Sequence, residues 1–373
     1  MIRIALVGLG KMGLSHAAIL KAHPEIEVVA VCDSFGILLS GLNKYMGFKT
    51  YRDYGELLKK EKLDAILIAT PSRFHGQMVR QALEKNLHVF CEKPFCLDVA
   101  EGQELAALAK QKGLVNQIGY HYRFLSTFAE AKRLLDSKLI GKVHHIRAEA
   151  YGPVVLRPAG LTWRSSQIEG GGCLYDYACH AIDLVNFLHG SPARVEGTIL
   201  SKIFSKDVDD EVYTTFRFPG GATGQLAANW SDESFRKMSM EITLWGENGR
   251  IRIDRQELQI FLRDATAFPE FRLGWNTKYT TELTKPVWYY LRGEEYSMQI
   301  DHFVRCILDR KQSLISSFET AVQTDLVLSK MIQNEKSHVP IDTSDEQTFT
   351  SRAPKVPREK KLTFSFKKLV GRR

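Results

Sequence analysis

The run IRIALV at residues 2–7 passes straight into Gly8-Leu9-Gly10-Lys11-Met12-Gly13, and a helical pattern follows. Strand, GxGxxG, helix is the order of a dinucleotide-binding βαβ unit. Glycines are needed where backbone must approach a pyrophosphate with no Cβ in the way, and the helix start offers free N–H groups to the phosphates. With 27 glycines in 373 residues the spacing alone is a weak signal. Context strengthens it. The next apolar run, EVVAVC, ends at Asp33, where a carboxylate accepts hydrogen bonds from ribose hydroxyls and repels a 2′-phosphate. Asp33 therefore predicts NAD over NADP, with Lys11 pulling weakly the other way, and Ser34 beside it joins the expected cofactor contacts.

The first 120 or so residues continue in the same alternation. Strands are expected at 2–7, 27–32, 64–69, 87–91 and 114–118, and helices at 11–22, near 36–46, 53–60, 73–85 and 98–111. Such alternation predicts an α/β fold with a doubly wound parallel sheet. Ligands on such sheets bind beyond the carboxyl ends of the strands. Gly8 to Gly13, Asp33, Thr70-Pro71 and Glu92-Lys93-Pro94 all fall there. From 123 the pattern changes. A helix (125–137), a strand (143–151), an irregular loop (152–172) and a helix (174–189) lead into six consecutive strands between 193 and 262. Helices at 292–310 and 317–334 close the domain. Consecutive strands predict a large, open, mainly antiparallel sheet covered on one face, whose other face suits a homo-oligomer, a dimer or tetramer. The expected division is 1–122, 123–344 and a basic tail, 345–373.

Size and composition, 44% hydrophobic and 25% charged, suit a soluble globular protein of two domains. No apolar run reaches membrane-span length, and a strand starting at Ile2 leaves no room for a signal peptide, which predicts a cytoplasmic protein. Six cysteines without CxxC spacing read as reduced, buried thiols, and no His/Cys cluster has metal spacing. The net charge of +8 is misleading as a sign of nucleic-acid binding. Nine basic residues and one acid lie in 351–373, leaving 42 of each sign in 1–350. A neutral body argues against nucleic acid. The tail, with its KLTFSFKKLV stretch, is either a solvated extension or a dock for an acidic partner or membrane surface.

Residues 174–189 read LYDYACHAIDLVNFLH. Asp176, His180 and Asp183 share one face of a regular helix, and no Lys, Arg or Glu occurs between Leu174 and Ala193. An apolar helix with a single Asp/His/Asp stripe is expected to be buried, with the stripe lining a cleft. A carboxylate bonded to the imidazole fixes its tautomer and raises its basicity. Gly170, Gly171 and Gly172 just upstream permit close backbone approach. Lys93, at the end of a buried strand, can hydrogen-bond a substrate hydroxyl, and desolvation is expected to lower its pKa. The Lys93-Pro94 bond also tolerates cis geometry, which re-aims the side chain.

GLGKMG, ATPSRFHGQM, HVFCEKP, IGYHYRF, WRSSQIEGGG and DYACHAID, in this order, resemble the Gfo/Idh/MocA family of NAD(P)-dependent sugar and polyol oxidoreductases. The likeness runs from residue 1 to about 335. It implies a Rossmann domain followed by an α/β domain whose open sheet often mediates oligomers. It also implies a catalytic set of Lys93, Asp176 and His180. Thr70, Pro71, His75 and Glu92 match positions near the cofactor, and Arg123, Trp163 and Arg164 match positions facing the cofactor–substrate cleft. Arg164 is expected to touch the cofactor, whereas Tyr120, Arg123, Tyr151 and Trp163 join Lys93, Asp176 and His180 as substrate contacts. The expected reaction is reversible hydride transfer between NAD and a secondary hydroxyl of a sugar. Tyr151, Arg157, Trp163 and Arg164 suit a carbohydrate, and the arginines point to a nucleotide-activated sugar over a free sugar or inositol. An NAD-dependent glycosidase and a non-catalytic nucleotide-sensing module are the alternatives.

Overall fold

Four strand ends set the geometry of everything that follows. In the computed structural model, β1 (Ile2–Val7), β2 (Ile26–Cys32), β4 (Ala65–Ile68) and β5 (His88–Cys91) run parallel, with Val7 opposite both Cys32 and Ile68, and Ile68 opposite Cys91. Gly8, Asp33, Thr70 and Lys93 therefore emerge along one edge. β3 (Lys49–Tyr51) and β6 (Asn116–Ile118) complete a six-stranded sheet of order β3-β2-β1-β4-β5-β6. This is the doubly wound order whose switch point lies beside β1. β4 is buried along its whole length, as a strand covered on both faces must be. Helices α1 (Lys11–Ala22), α2 (Tyr54–Lys60), α3 (His75–Glu84) and α4 (Val99–Gln111) flank the sheet. Asp53 and Asp98 cap α2 and α4 by accepting from the amides of Glu56, and of Ala100 and Glu101.

The structure describes residues 1–35, 39, 47–156, 163–284, 294–313 and 315–337. Arg157, the basic tail and, apart from Leu39, the helix expected near 36–46 lie outside them. Both sheets belong to one folded unit, Met1–His338.

After α5 (Ser126–Asp136) comes β7 (Val143–Tyr151), the centre of the second sheet. The helix α6 (Cys179–Leu188) precedes β8 (Arg194–Ser201), β9 (Glu211–Arg217), β10 (Thr223–Asn229), β11 (Ser239–Gly246), β12 (Gly249–Ile253), β13 (Glu257–Leu262) and β14 (Gly274–Tyr279). The order is β14-β13-β12-β11-β7-β10-β9-β8, antiparallel except for the β7–β10 pair. Along β7, Ile146, Ala148 and Ala150 are buried, while Arg147, Glu149 and Tyr151 face the other way. Two strands escaped the sequence reading. β3 is only three residues long, and β14, GWNTKY, is an edge strand whose Trp275, Thr277 and Tyr279 face outward and whose other side is Gly274, Asn276 and Lys278. α7 (Glu294–Leu308) does not close the second domain as expected. Its Ile300, Phe303 and Val304 join Ile4, Leu6 and Leu20 in one core under the first sheet. α8 (Phe318–Ser337) packs on both α4 and β8 and so braces the two sheets together.

Candidate active site

The glycine turn fits a dinucleotide by steric exclusion. A Cβ on Gly8, whose φ is +91°, would lie 2.5 Å from the Ala69 carbonyl oxygen, and one on Gly13 would lie 1.9 Å from that of Gly8. Those two glycines close the turn. A Cβ on Gly10 meets no protein atom within 4 Å, so this position faces the space a pyrophosphate would fill. α1 begins there with no side-chain cap and no acid in its first turn, which leaves its amides to an anion. Leu9 is buried behind the turn, while Lys11 and Ser34 are exposed at its rim and Met12 is half-buried. Asp33 accepts from the Leu9 amide at 2.5 Å and the Phe35 amide at 2.8 Å. A carboxylate has about four acceptor sites, so this use leaves capacity for ribose hydroxyls.

Lys93 and Asp176 meet at the carboxyl edge of β5. The Lys93 ammonium donates to the Asp176 carbonyl at 3.0 Å and to Oδ1 at 3.1 Å, and Arg164 Nε donates to Oδ2 at 2.8 Å. Trp163 lies beside them, its ring centroid 6.0 Å from Lys93 Nζ. Burial alone would raise the Asp176 carboxyl, but Lys93 and Arg164 outweigh it and hold the group ionised below its usual range. For Lys93, burial pulls downward, while the Cys179 sulfur and the Asp176 carboxylate win, so its pKa is raised. This reverses the expected depression. Lys93 is a cation at neutral pH because its desolvation is offset by a bonded anion. The Lys93-Pro94 peptide bond is cis.

His180 follows one turn later and stands apart from the carboxylate. Its Nδ1 is buried without a partner, and its neighbours are the rings of Tyr120, His121 and Tyr122 at 5.9, 5.1 and 5.4 Å. Burial, then the charge of Lys93, pushes its pKa well below the usual imidazole value. The expected Asp176–His180 pairing is therefore corrected. The carboxylate serves the ammonium, and the imidazole is neutral. Leu174–Ala178 forms a π-helical turn before α6, and the Asp176 carboxylate in it is already taken by Lys93 and Arg164.

Other expected contacts also move. Asp183 and Arg123 form a buried bidentate pair, Nε to Oδ2 at 2.7 Å and Nη2 to Oδ1 at 2.6 Å, while Nη1 reaches the Ile315 carbonyl. Arg123 is buried, and its guanidinium is engaged by Asp183 and the Ile315 carbonyl, where a substrate contact was expected. Tyr120 is 1% exposed and backs His180 edge-on, so it does not reach the cleft. Tyr151 lies on the outer face of the second sheet, bonded to Glu149 and stacked near Phe235, away from Lys93. Arg164 holds Asp176, where a cofactor contact was expected. His75 is fully buried and bridges the carbonyls of Thr70 and Pro94 at 2.9 and 2.8 Å, which ties two strand-end turns together. Pro71 is half-buried beside Thr70.

Two residues were not anticipated. His16 on α1 meets Glu92 Oε1 at 2.6 Å; burial would raise Glu92, but His16, with His121 and Lys93, keeps it ionised below its ordinary range. His121 stacks on Tyr296 at 4.5 Å, and burial drives its pKa to about 3. Among the described residues no group of His, Cys, Asp and Glu is placed to hold a metal, and no helix is long and apolar enough to cross a membrane. All six cysteines are free and buried.

The chain is 24% identical over 338 residues to the scyllo-inositol 2-dehydrogenase (NAD(+)) of Bacillus subtilis, covering 87% of this chain and 92% of that protein. It is 27% identical over 256 residues to the 2,7-anhydro-N-acetylneuraminate hydratase of Mediterraneibacter gnavus, 67% of this chain and 66% of that one. A levoglucosan dehydrogenase structure, in complex with NADH and levoglucosan, shares the fold with a TM-score of 0.78 at 24% identity, covering 90% of this chain and 97% of that one. Residues 2–120 match the model of the oxidoreductase family with an NAD-binding Rossmann fold, and residues 128–252 match the GFO/IDH/MocA C-terminal domain. With the glycine cradle, the strand-end lysine and the buried Asp176 turn in place, the chain belongs to the Gfo/Idh/MocA family of NAD-binding oxidoreductases.

Proposed function

We propose that this protein moves a hydride between NAD and a secondary hydroxyl carbon of a free sugar or cyclic polyol. The observation that carries this reading is the convergence of an ammonium, its carboxylate partner and a neutral imidazole at the switch-point edge of the first sheet. Gly8 to Gly13 and Asp33 would hold NAD, whose nicotinamide accepts or supplies the hydride when bound. Lys93 donates to the substrate oxygen and stabilises the negative charge that develops there. Asp176 keeps Lys93 charged and aimed. His180, uncharged before substrate arrives, takes the hydroxyl proton in oxidation and returns it in reduction. Trp163 offers a flat face to the sugar ring.

Of the two arginines that suggested a nucleotide-activated sugar, Arg157 lies outside the described residues and Arg164 is engaged on Asp176, which favours an uncharged substrate. Nicotinamide absorbance with a panel of inositols, free sugars, anhydrosugars and UDP-sugars tests this. Free polyols or sugars are expected to turn over, and turnover of UDP-sugars alone would return the substrate to the nucleotide-activated class. Lys93→Ala and His180→Ala are expected to lower turnover at least about 100-fold with NADH still bound. Near-normal turnover in both overturns the assigned roles. The likeness to a hydratase favours a second reading, transient oxidation at the same carbon, and product release without net NADH would identify it.

The outer face of the second sheet, with Trp275 45% and Tyr279 50% exposed, supports assembly of copies through that face, which light scattering tests. The six free thiols suit a reducing, cytoplasmic compartment.

A further inference from the structure

The turn that carries Asp176 is held from outside its own helix. The leading amides of a helical turn have no partner one turn back. Here one residue of a distant loop supplies two such partners. The Asp209 carbonyl accepts from the Cys173 amide at 2.8 Å, and its Oδ2 accepts from the Leu174 amide at 2.6 Å. Asp176 hangs directly from this anchored segment, its amide bonded to the Gly172 carbonyl at 3.0 Å. Gly172 in turn donates to the Arg164 carbonyl at 3.1 Å, so the second cation on Asp176 is tied to the same point. The approach is close enough that a Cβ on Gly172, whose φ is +108°, would lie 2.4 Å from Asp209 Oδ1.

The loop itself is rigid at its root. The buried Asp210 carboxylate accepts from the amides of Ile203, Phe204 and Ser205 at 2.8, 2.7 and 2.5 Å, and its backbone pairs with Ser201 and Trp230. Asp209 is thus a fixed acceptor set against the start of a turn that would otherwise lack one.

We propose that Asp209 is a positioning residue that fixes Asp176, and through it the Lys93 ammonium, by anchoring the start of the catalytic turn. The inference rests on the site reading given under Proposed function. Burial raises the Asp209 carboxyl to about 6, against the amide of Leu174. The charged and titratable groups facing it are Asp210 and Lys202 from its own loop and Cys173 and Tyr175 from the turn.

The test compares full-length wild type, Asp209→Ala and Asp209→Asn. Acylation of Lys93 by acetic anhydride, read by peptide mass spectrometry against exposed Lys11, needs no substrate. NADH affinity and turnover of scyllo-inositol and levoglucosan are followed in parallel. Asp209→Ala is expected to bind NADH as wild type does, to acylate Lys93 about tenfold faster, and to lose roughly 10- to 100-fold in turnover with little change in KM. Asp209→Asn, which keeps the acceptor, is expected to restore both. Wild-type acylation of Lys93 in Asp209→Ala overturns the proposal. If that variant does not fold, Asp209→Ser, whose shorter side chain withdraws the acceptor from the Leu174 amide, takes its place in the same two readings. Wild-type acylation of Lys93 and wild-type turnover in Asp209→Ser overturn the proposal. Wild-type turnover in Lys93→Ala would instead sink the site reading, while the acylation result still reports on position 209.

Discussion

Asp325 on α8 is a buried acid with half a partner. It is 3% exposed; its Oδ2 accepts from the Cys96 amide at 3.1 Å, and its Oδ1 has no partner. Burial pushes its pKa to about 8, the Cys96 amide pulling down and the Asp183 charge pushing up. In the unfolded chain an aspartate titrates near about 3.9. The native state therefore holds the proton more tightly. Between about pH 4 and about pH 8 the unfolded state binds fewer protons, so stability falls as pH rises, by up to about 1.4 kcal/mol per pH unit, and levels off outside that window. Asp325→Asn keeps an acceptor for Cys96 and removes the ionisation. Urea unfolding of both proteins at about pH 5 and about pH 8 isolates this one group, because every other titration, that of Asp209 included, cancels in the difference. The variant's advantage over wild type is expected to grow by up to about 4 kcal/mol between the two conditions. An advantage that is the same at both pH values would refute the assignment of Asp325 as a native-state acid.

The remaining predictions concern the cradle and the brace. Gly10→Val is expected to leave the unfolding midpoint unchanged and to weaken NADH binding at least about tenfold by fluorescence titration, since the added side chain meets only cofactor space. Gly13→Ala is expected to lower the unfolding midpoint itself, because its Cβ runs into the Gly8 carbonyl. Arg123→Leu is expected to destabilise the protein by about 3–5 kcal/mol by leaving Asp183 buried and unpaired, with no selective change in the KM of any sugar.

The first half of the chain was legible because its signals are local. Alternating periodicity and the residues after each strand define a parallel sheet and the edge where Gly8, Asp33, Thr70 and Lys93 emerge, and no tertiary information is needed for that. The second half was legible only as a class. β14 turns its aromatic side outward and its polar side inward, and nothing in 292–310 distinguishes a helix that covers its own sheet from one that returns, as α7 does, to Ile4 and Leu6. Site residues followed the same division. Lys93, Asp176 and Trp163 are brought together as anticipated, whereas Arg123 and Tyr151 are sent elsewhere by partners that spacing does not reveal. Arg123 finds a carboxylate sixty positions away. Tyr151 ends on the outer face through the alternation of β7.

The π-turn shows why the chemistry of the site could not be read from the helix alone. On a regular helix the nearest polar group to Asp176 is the imidazole one turn on, and that pairing implies a basic histidine and a lysine whose charge is suppressed. Lys93 at the end of β5 and Arg164 bring two cations to the carboxylate. One anion between two cations leaves a net positive site, and the imidazole nearby then has every electrostatic reason to be neutral. A charged donor for the substrate oxygen and an uncharged acceptor for its proton are the two states that alcohol oxidation needs at once. The carboxylate's partners, Lys93 and Arg164 and not His180, thus set the charge state of each group in the site.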